Sequence, residues 1–148
     1  MLVSAGGIER GVALPGVFAQ DTDALLRVRT DKPVAGSAQT VMLVTRRVSG
    51  GDFTALSPEA AAPGLTHDPK VWYWVRAQTA GANPSTIRIK AWRDGEPEPA
   101  GWQYAVADSE AILQGPGGAG LKSYLAANTT NAPVTFAFDD YVLRGIGG

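Results

Sequence analysis

Apolar and polar residues alternate with a period of two in a series of short stretches, and no long stretch of period 3.6 competes with them. The spacing predicts strands at 24–30, 39–46, 71–78, 85–92, 102–107, 121–126 and 134–143, with an eighth at 8–14. In the first of these Leu26 and Val28 fall on one face and Arg27 and Arg29 on the other. Residues 39–46 are more apolar throughout, the pattern of a strand covered on both faces. Stretch 71–78 places Trp72 and Trp74 opposite Val71, Tyr73 and Val75, so one of these two faces is core. Stretch 85–92 separates Ile87, Ile89 and Ala91 from Arg88, Lys90 and Trp92.

Between these stretches stand strand breakers: Ser49-Gly-Gly-Asp, Gly81-Ala-Asn-Pro, Asp94-Gly, Gly115-Pro-Gly-Gly and Asn128-Thr-Thr-Asn-Ala-Pro. A single helical turn is expected at 109–113, and the Ala/Pro-rich segment 56–70 reads as an irregular loop. No repeat of 20–50 residues is present, which sets aside solenoids and propellers. About eight strands with no helix to cover a face predict an all-β chain, folded as an antiparallel two-sheet sandwich. The expected core is Leu26, Val28, Val41, Leu43, Tyr73, Val75, Ile87, Ile89, Leu121, Phe136 and Phe138.

Length and composition narrow the function classes. The 148 residues suit one domain, expected to span 1–148 with flexible ends at 1–7 and 144–148. Thirteen Lys and Arg against 14 Asp and Glu give a net charge of −1, without the basic excess that a nucleic-acid groove or an anionic membrane surface requires. The absence of cysteine removes disulfides, thiolate metal sites and cysteine nucleophiles. With 45% hydrophobic residues the chain has material for a core, which argues against disorder. No apolar run approaches 18 residues, so no membrane-spanning helix is expected. The opening Met1-Leu-Val-Ser-Ala-Gly-Gly lacks the basic head and apolar run of a signal peptide.

Catalytic chemistry finds little to work with. The single histidine, His67, sits in a Thr-His-Asp-Pro turn with no nucleophile motif to serve. Glu96 and Glu98 flank prolines in one loop and are expected to point to solvent, and alternation sends Asp139 and Asp140 to opposite faces. No catalytic residue is therefore assigned, and a non-enzyme is expected. For calcium the available oxygens are Asp94, Asp108, Asp139, Asp140, Asn128 and Asn131, but no dense acidic loop gathers them, so turn capping is favoured and no metal or cofactor is expected. Glycan binding has better candidates: Trp92, on a face with Arg88 and Lys90, followed by Trp102 and Tyr104 after the proline loop. The alternative for these aromatics is mutual packing across the sheet.

From Gly64 the order of features becomes specific. Trp72-Tyr-Trp-Val-Arg-Ala-Gln is followed by Ile87-Arg-Ile-Lys-Ala-Trp-Arg-Asp-Gly-Glu-Pro-Glu-Pro-Ala-Gly-Trp-Gln, then Gly115-Pro-Gly-Gly-Ala-Gly-Leu and Phe138-Asp-Asp-Tyr-Val-Leu. This order resembles the C-terminal half of LamG-like, concanavalin A-like jelly-roll domains. Versions with the Ala-Trp…Asp-Gly…Glu-Pro…Trp signature are frequent in virion proteins, notably minor tail proteins, of phages that infect actinobacteria. The resemblance implies a structural protein of a phage virion, either a minor tail protein or a head decoration protein, assembled in the host cytoplasm. The alternative it leaves is a carbohydrate-binding module for host-surface glycans. The Glu-x-Asp-x-x-Glu strand of jelly-roll glycosidases is absent. Relative to the family the chain lacks an opening segment before Ile8 and a strand hairpin between Arg47 and Leu65. Exposed edges of this kind imply contact with other virion subunits or with further copies of the chain, a homo-oligomer.

Overall fold

The alternation at 71–92 is realised as a hairpin in a computed structural model of the chain, which describes residues 9–13, 17–18, 23–30, 39–47, 54–58, 60–66, 71–114, 120–121, 133 and 135–145. In chain order the strands are β1 (Glu9–Ala13), β2 (Val17–Phe18), β3 (Asp23–Thr30), β4 (Gln39–Arg47), β5 (Thr54–Ala55), β6 (Ala60–Thr66), β7 (Trp72–Ala80), β8 (Ser85–Arg93), β9 (Tyr104–Asp108), β10 (Gly120–Leu121) and β11 (Phe136–Arg144). The one helical element among the described residues is a 3₁₀ turn at Ala111–Leu113, inside the predicted 109–113. The fold class is all-β, with antiparallel pairing throughout the described strands, and none of the described helices is long and apolar enough to cross a membrane.

The largest sheet has the order β11-β3-β7-β8-β9. β7 and β8 are its centre, joined by a turn in which Gly81 (φ +76°) and Asn83 (φ +51°) take the left-handed conformation that favours glycine and asparagine. Along β7 exposure alternates residue by residue, with Tyr73, Val75, Ala77 and Thr79 buried. β8 answers with Ile87, Ile89 and Ala91, each at 1% exposure or less. These side chains form one apolar cluster with Tyr104 of β9, and Ala62 and Leu65 of β6 close over it. The inner face is therefore Tyr73/Val75, which settles the choice left open between the two faces of β7.

Four of the predicted core residues, Tyr73, Val75, Ile87 and Ile89, are buried; Phe138 packs against the cluster partly exposed, and Phe136 is half-buried. The side chains of Leu26, Val28, Val41, Leu43 and Leu121 lie outside the described part, as does the predicted strand 121–126 beyond Leu121.

The structure corrects two expectations. Segment 56–70 is not simply an irregular loop: β6 pairs with the first half of β4, at Gln39, Val41 and Met42, and β5 pairs with Thr45 and Arg46 further along β4. A register shift opposite Gln39–Val41 accommodates Pro63 and Gly64, with Gly64 at φ +70°. The gap between Arg47 and Leu65 is thus filled by strands of the chain itself. In β11, the register shift between Asp139 and Val142 and the left-handed Asp140 (φ +53°) interrupt alternation, so parity does not assign Asp139 and Asp140 to opposite faces. Both side chains are exposed.

Candidate functional site

The outer face of the β7–β8 hairpin collects most of the residues that carry chemistry. Antiparallel register sets Trp74 across from Trp92, Arg76 across from Lys90, and Gln78 across from Arg88. Directly opposed side chains on one face are close enough to interact. The Trp74 and Trp92 rings stack, with centroids 6.2 Å apart and planes 14° from parallel. Arg88 donates a hydrogen bond to the Gln78 amide oxygen. On the far side of β7, the backbone register continues the rows into β3, where Arg27 lies beside Trp74 and Arg29 beside Trp72.

Residues 94–103 fold back over this face as a strap. Their path begins with a turn in which Gly95 takes φ +89° and the Glu96 amide donates to the Arg93 carbonyl at 3.1 Å. Asp94 is held twice: its amide donates to the Trp72 carbonyl at 3.0 Å, and its carboxylate accepts from Trp74 Nε1 at 2.7 Å. Pro97 and Pro99 have no amide hydrogen to join a ladder, so the segment crosses the sheet instead of extending β8. Glu98 then reaches Lys90 at 2.5 Å and Arg76 at 3.1 Å, and the Pro99 carbonyl accepts from Lys90 Nζ at 3.0 Å. Trp102 lies against the cations of Arg88 and Lys90, 5.1 and 5.2 Å from its ring centroid, in cation–π geometry. Gln103 returns the chain to the sheet, its amide donating to the Ile89 carbonyl and its side-chain oxygen accepting from the Ala91 amide.

Of the five glycan-binding candidates, Arg88, Lys90, Trp92 and Trp102 meet on this face, whereas Tyr104 does not. Tyr104 is on the inner face, 8% exposed, where its hydroxyl donates to the Pro58 carbonyl at 3.1 Å and shares a hydrogen bond with Ser57. Trp92 and Lys90 are also 8% exposed, so Trp92 is not an open stacking platform. Glu98, expected in solvent, is exposed, and from there its carboxylate reaches two cations, which the sequence did not show. It also passed over Trp74 and Arg76, which a register count from the 81–84 turn would have set opposite Trp92 and Lys90.

The charge census of the cluster is uneven. Arg76, Arg88 and Lys90 carry three positive charges, and among the described residues Glu98 is the one carboxylate in ion-pair contact with them. The Nε groups of Arg76 and Arg88 are buried without a hydrogen-bond acceptor. A buried donor left unpaired costs about 1–3 kcal/mol, so this arrangement holds positive charge at a cost.

At the opposite end of the hairpin Gln114 ties the turn to the 3₁₀ segment. Its side-chain oxygen accepts from the Asn83 amide at 2.6 Å and the Ser85 hydroxyl at 3.0 Å, while its amide group donates to the Asp108 and Glu110 carbonyls. Asp108, weighed as a calcium ligand, is 3% exposed and accepts from the Glu110 amide, a turn-capping role. No group of three or more His, Cys, Asp or Glu side chains among the described residues is placed to hold a metal ion. His67, Asn128 and Asn131 lie outside the described residues.

No protein-family model, curated protein or solved structure matches the chain.

Proposed function

We propose that the chain is a non-enzymatic structural protein of a phage virion, a minor tail protein or head decoration protein, built as a shortened concanavalin A-like jelly-roll sandwich. The observation that supports this reading is the use made of the Ala-Trp…Asp-Gly…Glu-Pro…Trp signature. Trp92 stacks on Trp74, Asp94 holds Trp74 Nε1, Glu98 binds Arg76 and Lys90, and Trp102 packs under two cations. Trp92 joins the two strands of the hairpin, and Asp94, Glu98 and Trp102 fasten the strap to them, which makes the signature a device for rigidity, the property a surface subunit needs. Subunit contacts fall at the two ends of the sheet order, β9 and β11; on β11 the large apolar side chains Tyr141 and Leu143 are 42% and 45% exposed. An apolar pair at a strand edge suits contact with a neighbouring subunit or a further copy of the chain.

The test is peptide mass spectrometry on density-purified particles from a lysate of the producing phage. A fixed copy number per particle is expected; the chain found only in the supernatant overturns the reading. Light scattering on the purified chain separates contact with like copies (a defined oligomer) from contact with other virion proteins (a monomer).

The other reading is a carbohydrate-binding module, and one feature favours it: Trp72, Trp74 and Trp102 keep part of their surface in solvent beside Arg76 and Arg88. Glycan-array binding that Trp102→Ala abolishes at unchanged melting temperature would support it.

A further inference from the structure

We infer that the outer face of β7–β8 contains an anion site, formed by Arg76, Arg88 and Lys90, that takes the carboxylate or phosphate of an acidic saccharide. The inference deepens the carbohydrate-binding reading by naming a ligand class, and is independent of the virion assignment. Among the described residues these three cations have one carboxylate in ion-pair contact, Glu98, a local excess of two positive charges in a chain whose net charge is −1. Lys90 is fully engaged: Glu98, the Pro99 carbonyl and the Trp102 ring surround it. The two guanidinium groups are not. Each makes one polar contact from a terminal nitrogen, Arg76 to Glu98 and Arg88 to Gln78, and each has its Nε buried without an acceptor.

Guanidinium groups are half-buried here, where solvent screens them less than at an open surface. Arg76 and Arg88 occupy diagonal positions on adjacent strands, since Arg76 is paired with Lys90 and Arg88 with Gln78. An anion that reached the terminal nitrogens of both would be held by two guanidinium groups, which suits the two or three oxygens of a carboxylate or phosphate. Trp74, stacked on Trp92, and Trp102, against Arg88 and Lys90, border these cations and are each half-buried, so the surface they leave in solvent is of the apolar kind that packs against sugar rings. A nucleic acid is disfavoured as the occupant: it presents a charge at every residue and meets a chain of net negative charge, whereas this excess matches one or two anionic groups.

Arginine Nε–H signals in nuclear magnetic resonance spectra of the full chain at low salt test this. The Arg76 and Arg88 signals are assigned by their disappearance in Arg76→Lys and Arg88→Lys. Titration with glucuronate is expected to shift both, at lower concentration than acetate, with glucose silent and inorganic phosphate active. Glu98→Gln removes the competing negative charge and is expected to tighten glucuronate binding about fivefold, the effect of one unit charge some 4 Å away in water. Glucuronate and acetate acting alike would overturn the saccharide part and leave an anion site alone. Glucose acting as well as glucuronate would overturn the acidic class while the carbohydrate-binding reading stands. No shift with any anion, or unchanged affinity in Glu98→Gln, would overturn the site itself.

Discussion

The two faces of the β7–β8 hairpin are covered by different means and to different depths. On the inner face Ile87 and Ile89 are fully buried and Val75, Ala77 and Ala91 nearly so, covered in part by β6, a strand from elsewhere in the chain. On the outer face Trp92 and Lys90 are 8% exposed, Trp92 stacked on Trp74 and Lys90 held by Glu98, Pro99 and Trp102 of the segment that follows β8 directly. The inner face is held by apolar contact, which has no direction and depends on volume. The outer face is held by a ring stack, ion pairs and cation–π contacts, each with its own geometry and most of them sensitive to salt. One face closes the fold over long range, while the other closes it locally and keeps charge at the surface.

Charge placed on the inner face breaks this division most severely. Ile89→Asp puts a carboxylate among Tyr73, Val75 and Tyr104 with no partner, and is expected to abolish soluble folding. The milder Ile89→Ala is expected to cost about 2–5 kcal/mol, insensitive to salt. A folded Ile89→Asp chain, judged by circular dichroism and size exclusion, would show that the strand faces are reversed. Next comes the outer stack. Trp92→Ala removes the ring facing Trp74 and is expected to cost about 3 kcal/mol, near the low end of the range for a buried aromatic. A melting temperature unchanged in that variant would mean that the ring stack adds nothing to the stability of the hairpin.

The inner face was the more legible of the two in the amino-acid sequence. Period-two alternation marks Ile87, Ile89 and Ala91 against Arg88, Lys90 and Trp92 with no long-range information. It could not say which side of β7 is core, because tryptophans and aliphatics both bury; the answer depends on β6, whose Ala-Pro-Gly composition hides a strand. The candidate site was half legible. Arg88, Lys90 and Trp92 came from parity on one strand, but Trp74 and Arg76 needed cross-strand register, and Glu98 needed the path of a proline-containing strap. Tyr104 was misplaced because the strand expected at 102–107 begins at Tyr104: Trp102 belongs to the strap, and Tyr104 follows its pairing with Ile89 onto the inner face.

Away from both faces, Gln114→Ala sharpens the comparison by loosening the hairpin's turn while leaving its strands alone. The variant strips acceptors from the Asn83 amide and the Ser85 hydroxyl and donors from two carbonyls. Some of these groups gain water instead, since Asn83 is exposed, so a cost of about 1–2 kcal/mol is expected. Amide hydrogen exchange should accelerate at 81–85 and leave Ile89 and Ala91 protected; uniform acceleration would show that the turn and the two faces open as one unit.

The smallest stability effect belongs to Glu98→Gln, and it separates the two faces most cleanly. Glu98 is about one-third exposed, so solvent screens its ion pairs with Arg76 and Lys90. Glutamine keeps an oxygen to accept from either cation, and Lys90 retains the Pro99 carbonyl and the Trp102 ring. The expected cost is about 1 kcal/mol or less, smaller still in molar salt, where the wild-type pair is itself weakened. An Ile89→Ala penalty measured beside it should be the same at both ionic strengths. If instead Glu98→Gln costs as much as Trp92→Ala and the cost persists in salt, the strap is held by charge rather than by ring stacking, and the outer face is as much a core as the inner one.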